Sequence, residues 1–380
     1  MGIVSALGDV TYEGAKSVYG PYLAFLGAGA TTIGFVSGLG EFVGYVLRLL
    51  SGYFSDKTKH HWLIAAIGYG MLISVPMLAF AGNWQYAAVF IILERTGKAI
   101  RSPARDAILS HATKEVGRGY GFGIHEALDQ LGAIIGPLIF TAALTIGKGY
   151  RGGFSFMWIP AVSTVAMLLV ARSVVPEPEK LETGSTETEV KRSGSRRLPK
   201  QFWIYGLFTM ASVAGFANFQ VMSYHFIKQD IISEVHIPTL YALAMAVDGV
   251  TALIVGKAYD RKGLKSLFII PLLTLPIPFL AFSKSVYLAV ISVFLWGIVM
   301  GVHETIMRAA IADITPIENR GSAYGFFNTL YGGSWFIGST LMGYFYEEVS
   351  VVCIYFFVSL LQLAAFIIFR KLEYETVSNP

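Results

Sequence analysis

Glu94, Lys98, Arg101 and Arg105 follow one another at spacings of four, three and four residues, which puts them on one face of a helix. Arg95 and Asp106 flank that stripe. Asp9, Glu13 and Lys16 repeat with the same period, and His125, Glu126 and Asp129 form a third charged group. Cations gathered on one face can hold an anionic group through charge-assisted hydrogen bonds. Acids beside them can exchange a proton, because burial and neighbouring cations pull a carboxylate's proton affinity in opposite directions. His125 adds a group able to relay protons near neutral pH. Glu41, in another apolar stretch with Arg48 on the same helical face, is a further acid that can join the set. The alternative is that these side chains are mutual ion pairs that hold helices together and meet no ligand.

The elements that must position these residues are apolar. Of 380 residues 54% are hydrophobic and 14% charged, far from the make-up of an ordinary soluble domain. Twelve apolar runs, each long enough to cross about 30 Å of hydrocarbon as a helix, lie near 3–26, 31–54, 61–81, 84–110, 118–146, 150–172, 201–228, 237–259, 265–283, 285–312, 320–346 and 350–370. Period-two alternation is absent, so a membrane β-barrel is not expected. The first run carries Asp9, Glu13 and Lys16 and reads as a retained span, not a cleaved leader. An all-α membrane protein follows. A charge inside the bilayer costs about 2.5–3.5 kcal/mol on insertion scales and normally faces water or another charge. Spans three, nine and twelve have no ionisable residue in their interiors and span six has only Arg151, so these four are expected around the other eight.

The loop charges orient the chain. With both termini cytoplasmic, the inner side holds Lys57, Lys59, Lys114, Arg118, Lys180, Lys191, Arg192, Arg196, Arg197, Arg261, Lys262 and Lys265 among others, and the outer side only Lys148, Arg151, Lys228 and Lys284. That is the positive-inside asymmetry. The polar stretch "VVPEPEKLETGSTETEVKRSGSRRLPK" has no apolar period to fold around and reads as a linker. It divides the chain into a six-helix bundle at 1–172, a cytoplasmic linker at 173–200 and a second six-helix bundle at 201–380.

The halves repeat. "GYFSDKTKHH" and "GKAYDRKGLK" share a Gly, three residues, an Asp and a basic residue at an offset of 204, and the same offset carries "YGF" at 120–122 onto "YGF" at 324–326. Gly52, Asp56 and Lys57, and again Gly256, Asp260, Arg261, Gly263 and Lys265, resemble the loop signature of major facilitator superfamily transporters between helices two and three and between eight and nine. The first copy departs from the pattern with Lys59 in place of Gly. Gly123, Gly132, Gly136 and Pro137 resemble the helix-five pattern of exporters and antiporters, without its closing Gly pair. The run R-x-G-K-x-x-R-x-x-x-R-D from Arg95 to Asp106 is similar to a prokaryotic branch of the superfamily.

The resemblance implies twelve transmembrane helices in two pseudo-symmetric bundles and a secondary transporter working by alternating access. With the charges it leads to a proton-coupled transporter of a small polar or anionic organic solute in the cell inner or plasma membrane, with export favoured. In that reading Arg95, Lys98, Arg101, Glu94 and Glu41 meet the substrate, and Asp9, Glu13, His125, Glu126 and Asp129 handle the proton. Asp56, Lys57, Lys59, Asp106, Asp260, Arg261, Lys265 and Asp313 latch the cytoplasmic side, with Asp106 and Asp313 as partners for the loop cations. The second half contributes Asn218, Gln220, His225, Asp248, His303, Glu304 and Arg308 and an aromatic wall of Phe216, Phe219, Tyr224, Trp296 and Trp335. Alternatives are a multidrug/proton antiporter for apolar cations and, in another class, a non-transporting membrane sensor or lipid-handling protein. No enzymatic activity, cofactor, metal site or nucleic-acid partner is expected, and the chain is expected to act as a monomer. The partners expected are small-molecule substrate, protons and lipid bilayer.

Overall fold

In a bilayer no water is present to bond the backbone, so each N–H and C=O must be satisfied within the chain, and a helix does this inside one segment. The computed structural model describes residues 1–112, 118–177, 198–316 and 319–378, and every regular element among them is helical. Most of the linker lies outside the described residues, with Lys114, Lys180, Lys191, Arg192, Arg196 and Arg197, and so do the side chains of Asp56 and Arg118. The described helices make twelve passes: 2–25, Ala30–Thr58, 61–80, Trp84–Ala112, Arg118–Thr145, 149–174, 200–228, Ile237–Lys262, 263–281, Val286–Ile314, Arg320–Tyr344 and Val351–Ser378.

Eight segments are apolar and long enough to cross a membrane by length and composition, and one of them, Glu234–Ala281, spans 48 residues and holds two passes. The first and fourth passes fall outside that set because they carry the ionisable stripes, and the eleventh is diluted by Gly, Ser and Asn. The third span leaves one apolar face outward, with Leu63 and Ile67 exposed, and packs the other. Trp62, Ala65, Tyr69 and Leu72 pack in one core with Val4, Tyr12, Ala104 and Ile108. Half of this span's apolar window is buried, against 22% for the twelfth.

Several passes are interrupted, among them the first and the seventh. Ser17 and Val18 interrupt the first, between Gly2–Lys16 and Tyr19–Phe25. Pro21 explains the position, because its ring has no N–H and would clash with the Ser17 carbonyl in a continuous helix. The Ser17 hydroxyl instead donates to Gly14 O at 2.6 Å. In the seventh span, Lys200–Ala214 ends at Gly215 and Phe219–Lys228 begins after Asn218, whose side-chain oxygen accepts the Gln220 N–H at 2.8 Å. Gly as a stop and Asn as an N-cap are familiar helix punctuation.

The chain packs as two compact units, Met1–Ala28, Leu39–Thr188 and Glu234–Ala242 in one, Gly29–Gly38, Glu189–Ser233 and Leu243–Pro380 in the other. The boundary expected at the linker is thus crossed twice. Residues 29–38 join the second unit through bare helix surfaces. A Cβ on Gly38 would lie 2.9 Å from Phe336 Cα, and one on Gly34 or Gly343 would collide with the carbonyl oxygens of Ser339 or Ala30. The Thr31 N–H donates to Glu347 Oε2 at 2.8 Å, an acid on a helix N-terminus. Residues 234–242 join the first unit, where the Thr239 and Thr141 hydroxyls meet at 2.9 Å.

Candidate functional site

In the first unit the charged stripe of the first span faces that of the fourth. Three close crossings set the register. A Cβ on Gly136 would meet Gly14 N at 2.7 Å, one on Gly132 would meet Asp9 Cβ at 3.1 Å, and one on Gly97 would meet Gly68 O at 2.8 Å. The first span therefore lies directly on the fifth, and the third directly on the fourth, so long polar side chains fill the space beside these contacts.

Glu13 is at the centre. Its Oε1 is 3.7 Å from Lys98 Nζ and its Oε2 is 3.9 Å from Lys16 Nζ. The Tyr241 hydroxyl donates to Glu13 Oε2 at 2.6 Å. Lys16 also stands 3.6 Å from Glu41 Oε1, which Arg95 Nη1 contacts at 2.9 Å. Tyr12 is the platform beneath them. Lys98 Nζ lies 3.6 Å from its ring centroid and the Arg95 guanidinium carbon 4.6 Å. Cation–π contacts of this kind are strongest where water is excluded. Glu94 is fully buried, and among the described residues neither of its carboxylate oxygens has a hydrogen bond; its ion-pair contact is Arg95 Nε at 3.7 Å. Arg101 turns toward the third span, its guanidinium 5.1 Å from the Tyr69 ring centroid, with Nη1 lacking a hydrogen bond.

A second group lies along the same spans. Arg105 binds Asp106 Oδ1 through Nε and Nη2, both at 2.9 Å, and its Nη1 donates to Ser5 Oγ at 2.8 Å and Asp129 Oδ2 at 3.4 Å. His125 Nε2 is 3.4 Å from the same Asp129 oxygen. On its other side His125 walls an apolar cavity of about 460 Å³ shared with Trp62, Leu128 and Met167. Asp9 is half-buried in the field of Lys98, Arg101 and Arg105, with Glu13 one turn on, while Glu126 is exposed.

The latch residues find other partners than those expected. Asp106 is held by Arg105 of its own helix, and Asp313 accepts the Tyr259 hydroxyl at 2.6 Å. Lys265 Nζ stands 3.7 Å from Glu373 of the last helix. Lys57, Lys59, Asp260 and Arg261 are exposed. The two signature loops share a backbone device: Lys59 has φ +57° and Gly263, 204 positions later, φ +56°.

Tyr12, Tyr241 and Ser5 are the residues that sequence reasoning missed. Two of them carried a signal, since Ser5, Asp9, Tyr12, Glu13 and Lys16 continue one helical stripe. Tyr241 carried none, because it stands 228 positions from Glu13 in the sequence and joins the first unit with residues 234–242.

In the second unit the polar residues sit among rings. Phe216 stacks on Trp296 with centroids 5.7 Å apart, and Trp296 Nε1 donates to Ala217 O at 2.9 Å. Asn218 Nδ2 donates to Ser339 Oγ at 2.9 Å, and His225 Nδ1 lies 2.9 Å from the Tyr346 hydroxyl. Asp248 is buried, whereas Glu304 and Arg308 are exposed.

Known proteins agree with this architecture. The sequence profile of the Major Facilitator Superfamily matches residues 3–231 and 226–380. An uncharacterized protein of Mycobacterium tuberculosis is 38% identical over 382 residues, covering 99% of this chain and 93% of the relative. An uncharacterized MFS-type transporter of Methanocaldococcus jannaschii is 28% identical over 360 residues, covering 91% and 87%. Among solved structures, that of the nucleoside transporter NupG superposes with a TM-score of 0.73 at 14% identity over 98% of this chain and 97% of its own, a likeness of fold. Twelve helical passes, charges gathered inside them and a profile match along the whole length lead to one assignment: the chain belongs to the Major Facilitator Superfamily and is a multi-pass membrane transporter.

Proposed function

We propose that the protein is a proton-coupled secondary transporter of small organic anions, with both termini cytoplasmic and export as its direction. The observation that carries the reading is the Lys98–Glu13 pair. At 3.7 Å the two charges attract without a direct hydrogen bond, and Lys98 rests on the Tyr12 face. A pair held this way is exchangeable. When Glu13 takes a proton, with Tyr241 keeping its carboxyl in place, Lys98 is freed to hold a substrate anion. When the proton leaves, Glu13 reclaims Lys98 and the anion is released. Linkage makes the competition reciprocal, so bound anion favours the protonated acid.

Arg105, Asp129, His125 and Ser5 form a second acid–base group in this scheme and offer the proton a further stop. Export rests on the helix-five pattern of Gly132, Gly136 and Pro137, the two glycines of which also seat the fifth span on the first. Cytoplasmic termini rest on the loop charge asymmetry.

The test is a thermal-shift screen of the purified protein against organic anions at two pH values, followed by counterflow in proteoliposomes with labelled hits against lipophilic cations. Anions are expected to stabilise the protein more at the lower pH, and Lys98→Ala to abolish both the shift and the counterflow. Lipophilic cations exchanging in place of anions, with Lys98→Ala unaffected, would overturn the reading in favour of a multidrug antiporter.

A further inference from the structure

Of the buried polar atoms in the second unit that have no hydrogen bond among the described residues, two belong to side chains that pack on one ring. Trp335 Nε1 and His303 Nε2 have no hydrogen bond among the described residues, in side chains 7% and 2% exposed. Each such atom costs about 1–3 kcal/mol of lost solvation, and native proteins rarely leave buried groups orphaned without a reason. The Phe216 ring packs steeply tilted against both side chains, with its centroid 5.1 Å from that of His303 and 5.5 Å from that of Trp335, while it stacks on Trp296. His303 is oriented from its other side by the Tyr331 hydroxyl, 3.2 Å from Nδ1.

The backbone supplies an independent sign. Phe216 stands in the break of the seventh span, between Gly215 and Asn218, inside the segment that is 83% buried in its apolar window. Non-helical backbone at membrane depth is tolerated where it is buried in protein or lines a cavity, and interrupted helices mark binding sites in transporters. Outside the helical ladder, Phe216 can swing away at less cost than a residue in mid-helix.

We propose that this cluster is a binding subsite for a planar aromatic or heteroaromatic group, which takes the place of the Phe216 ring against Trp296. Its edge accepts a hydrogen bond from the Trp335 indole N–H and exchanges one with His303 Nε2. The subsite rests on the reading of the chain as an organic-solute transporter and narrows it to solutes bearing a flat ring.

Saturation-transfer NMR on the full-length protein in detergent, with nicotinamide, benzamide and cyclohexanecarboxamide as probes, tests this directly. All three carry the same amide and only the first two have a ring that stacks. Nicotinamide and benzamide are expected to receive saturation and cyclohexanecarboxamide to receive none. Trp335→Phe keeps a ring and loses the donor, so it should weaken nicotinamide about tenfold, the equivalent of one hydrogen bond. Phe216→Ala should strengthen it by removing the competing ring. The proposal falls if the three carboxamides behave alike, if none binds, or if Trp335→Phe and Phe216→Ala leave nicotinamide binding where it was in proteins whose melting temperatures show them folded. Benzoate run in parallel on Lys98→Ala reports separately on the anion reading: undiminished benzoate binding there sinks that reading and leaves the ring subsite to be judged on the carboxamides.

Discussion

Arg95 ties three parts of the charged cluster together, joining Glu41 at 2.9 Å, Glu94 at 3.7 Å and the Tyr12 face. Removing one partner of a buried ion pair leaves an uncompensated charge, at a cost of about 3–5 kcal/mol. Arg95→Ala is therefore expected to lower the melting temperature sharply or abolish monodisperse protein on size exclusion, and Arg95→Lys to fall between, since a lysine keeps the charge and loses the fork. Tyr241→Phe removes one hydrogen bond to a carboxylate, worth about 1.5–3 kcal/mol, and its thermal unfolding should shift down accordingly; an unchanged curve would mean that Glu13 does not depend on that hydroxyl. Lys59 makes the opposite case. Left-handed backbone costs a side-chain-bearing residue about 1–2 kcal/mol, part of which glycine forfeits through unfolded-chain entropy. Lys59→Gly should stabilise the protein by about 0.5–1 kcal/mol, and Gly263→Lys should destabilise it, each read as a shift in melting temperature.

At the scale of elements, crossings between helices are set by what is absent from them. The first span touches the fifth backbone to backbone at Gly14 and Gly136, where an added methyl meets main-chain atoms that cannot yield. Overpacking of that kind costs about 1–3 kcal/mol. Gly136→Ala should show it as a lower melting temperature, while Gly70→Ala, with nothing within 4 Å of the new methyl, should be neutral or slightly stabilising. Equal effects at the two sites would remove the close crossing as the device that aligns the acidic and basic stripes. The breaks in the first and seventh spans belong to this scale too. They occupy corresponding places in the two halves of the sequence, and each adjoins the polar or aromatic cluster of its own unit. A helix that surrenders its ladder bonds in the membrane must gain something from the side chains it redirects. Glu13 and Lys16 beside one break, and Phe216 within the other, are those side chains.

For the whole molecule, orientation is read by labelling. Cys353 is the single cysteine, so a Cys353→Ala background lets one position be read at a time. Lys148→Cys and Lys284→Cys, both at exposed positions, should react with a membrane-impermeant maleimide on intact cells. Lys59→Cys and Lys265→Cys should react only after permeabilisation. The reverse pattern would place the termini outside and with them reverse the proposed direction of transport. Exchange of residues 29–38 and 234–242 between the two units also belongs here, because it makes neither unit the product of one half of the chain alone.

Spacing along the chain determined what each helix would present: a period near 3.6 places Asp9, Glu13 and Lys16, or Glu94, Lys98 and Arg101, on one side whatever surrounds them, and the hydrocarbon thickness determined how many passes there are. The 204-residue repeat was equally plain. Partner choice was not. That Asp106 closes on Arg105, that Arg101 turns to Tyr69, and that Tyr241 reaches Glu13 from a distant segment follow from where helices cross, and crossings depend on contacts between residues far apart in sequence. Tyr12 shows the division well: its place on the stripe was readable, but its service as a bed for two cations required Lys98 and Arg95 to arrive from another helix. Local periodicity is a property of one segment, whereas an ion pair between helices is a property of their packing, and packing is decided only when the glycines let the backbones meet.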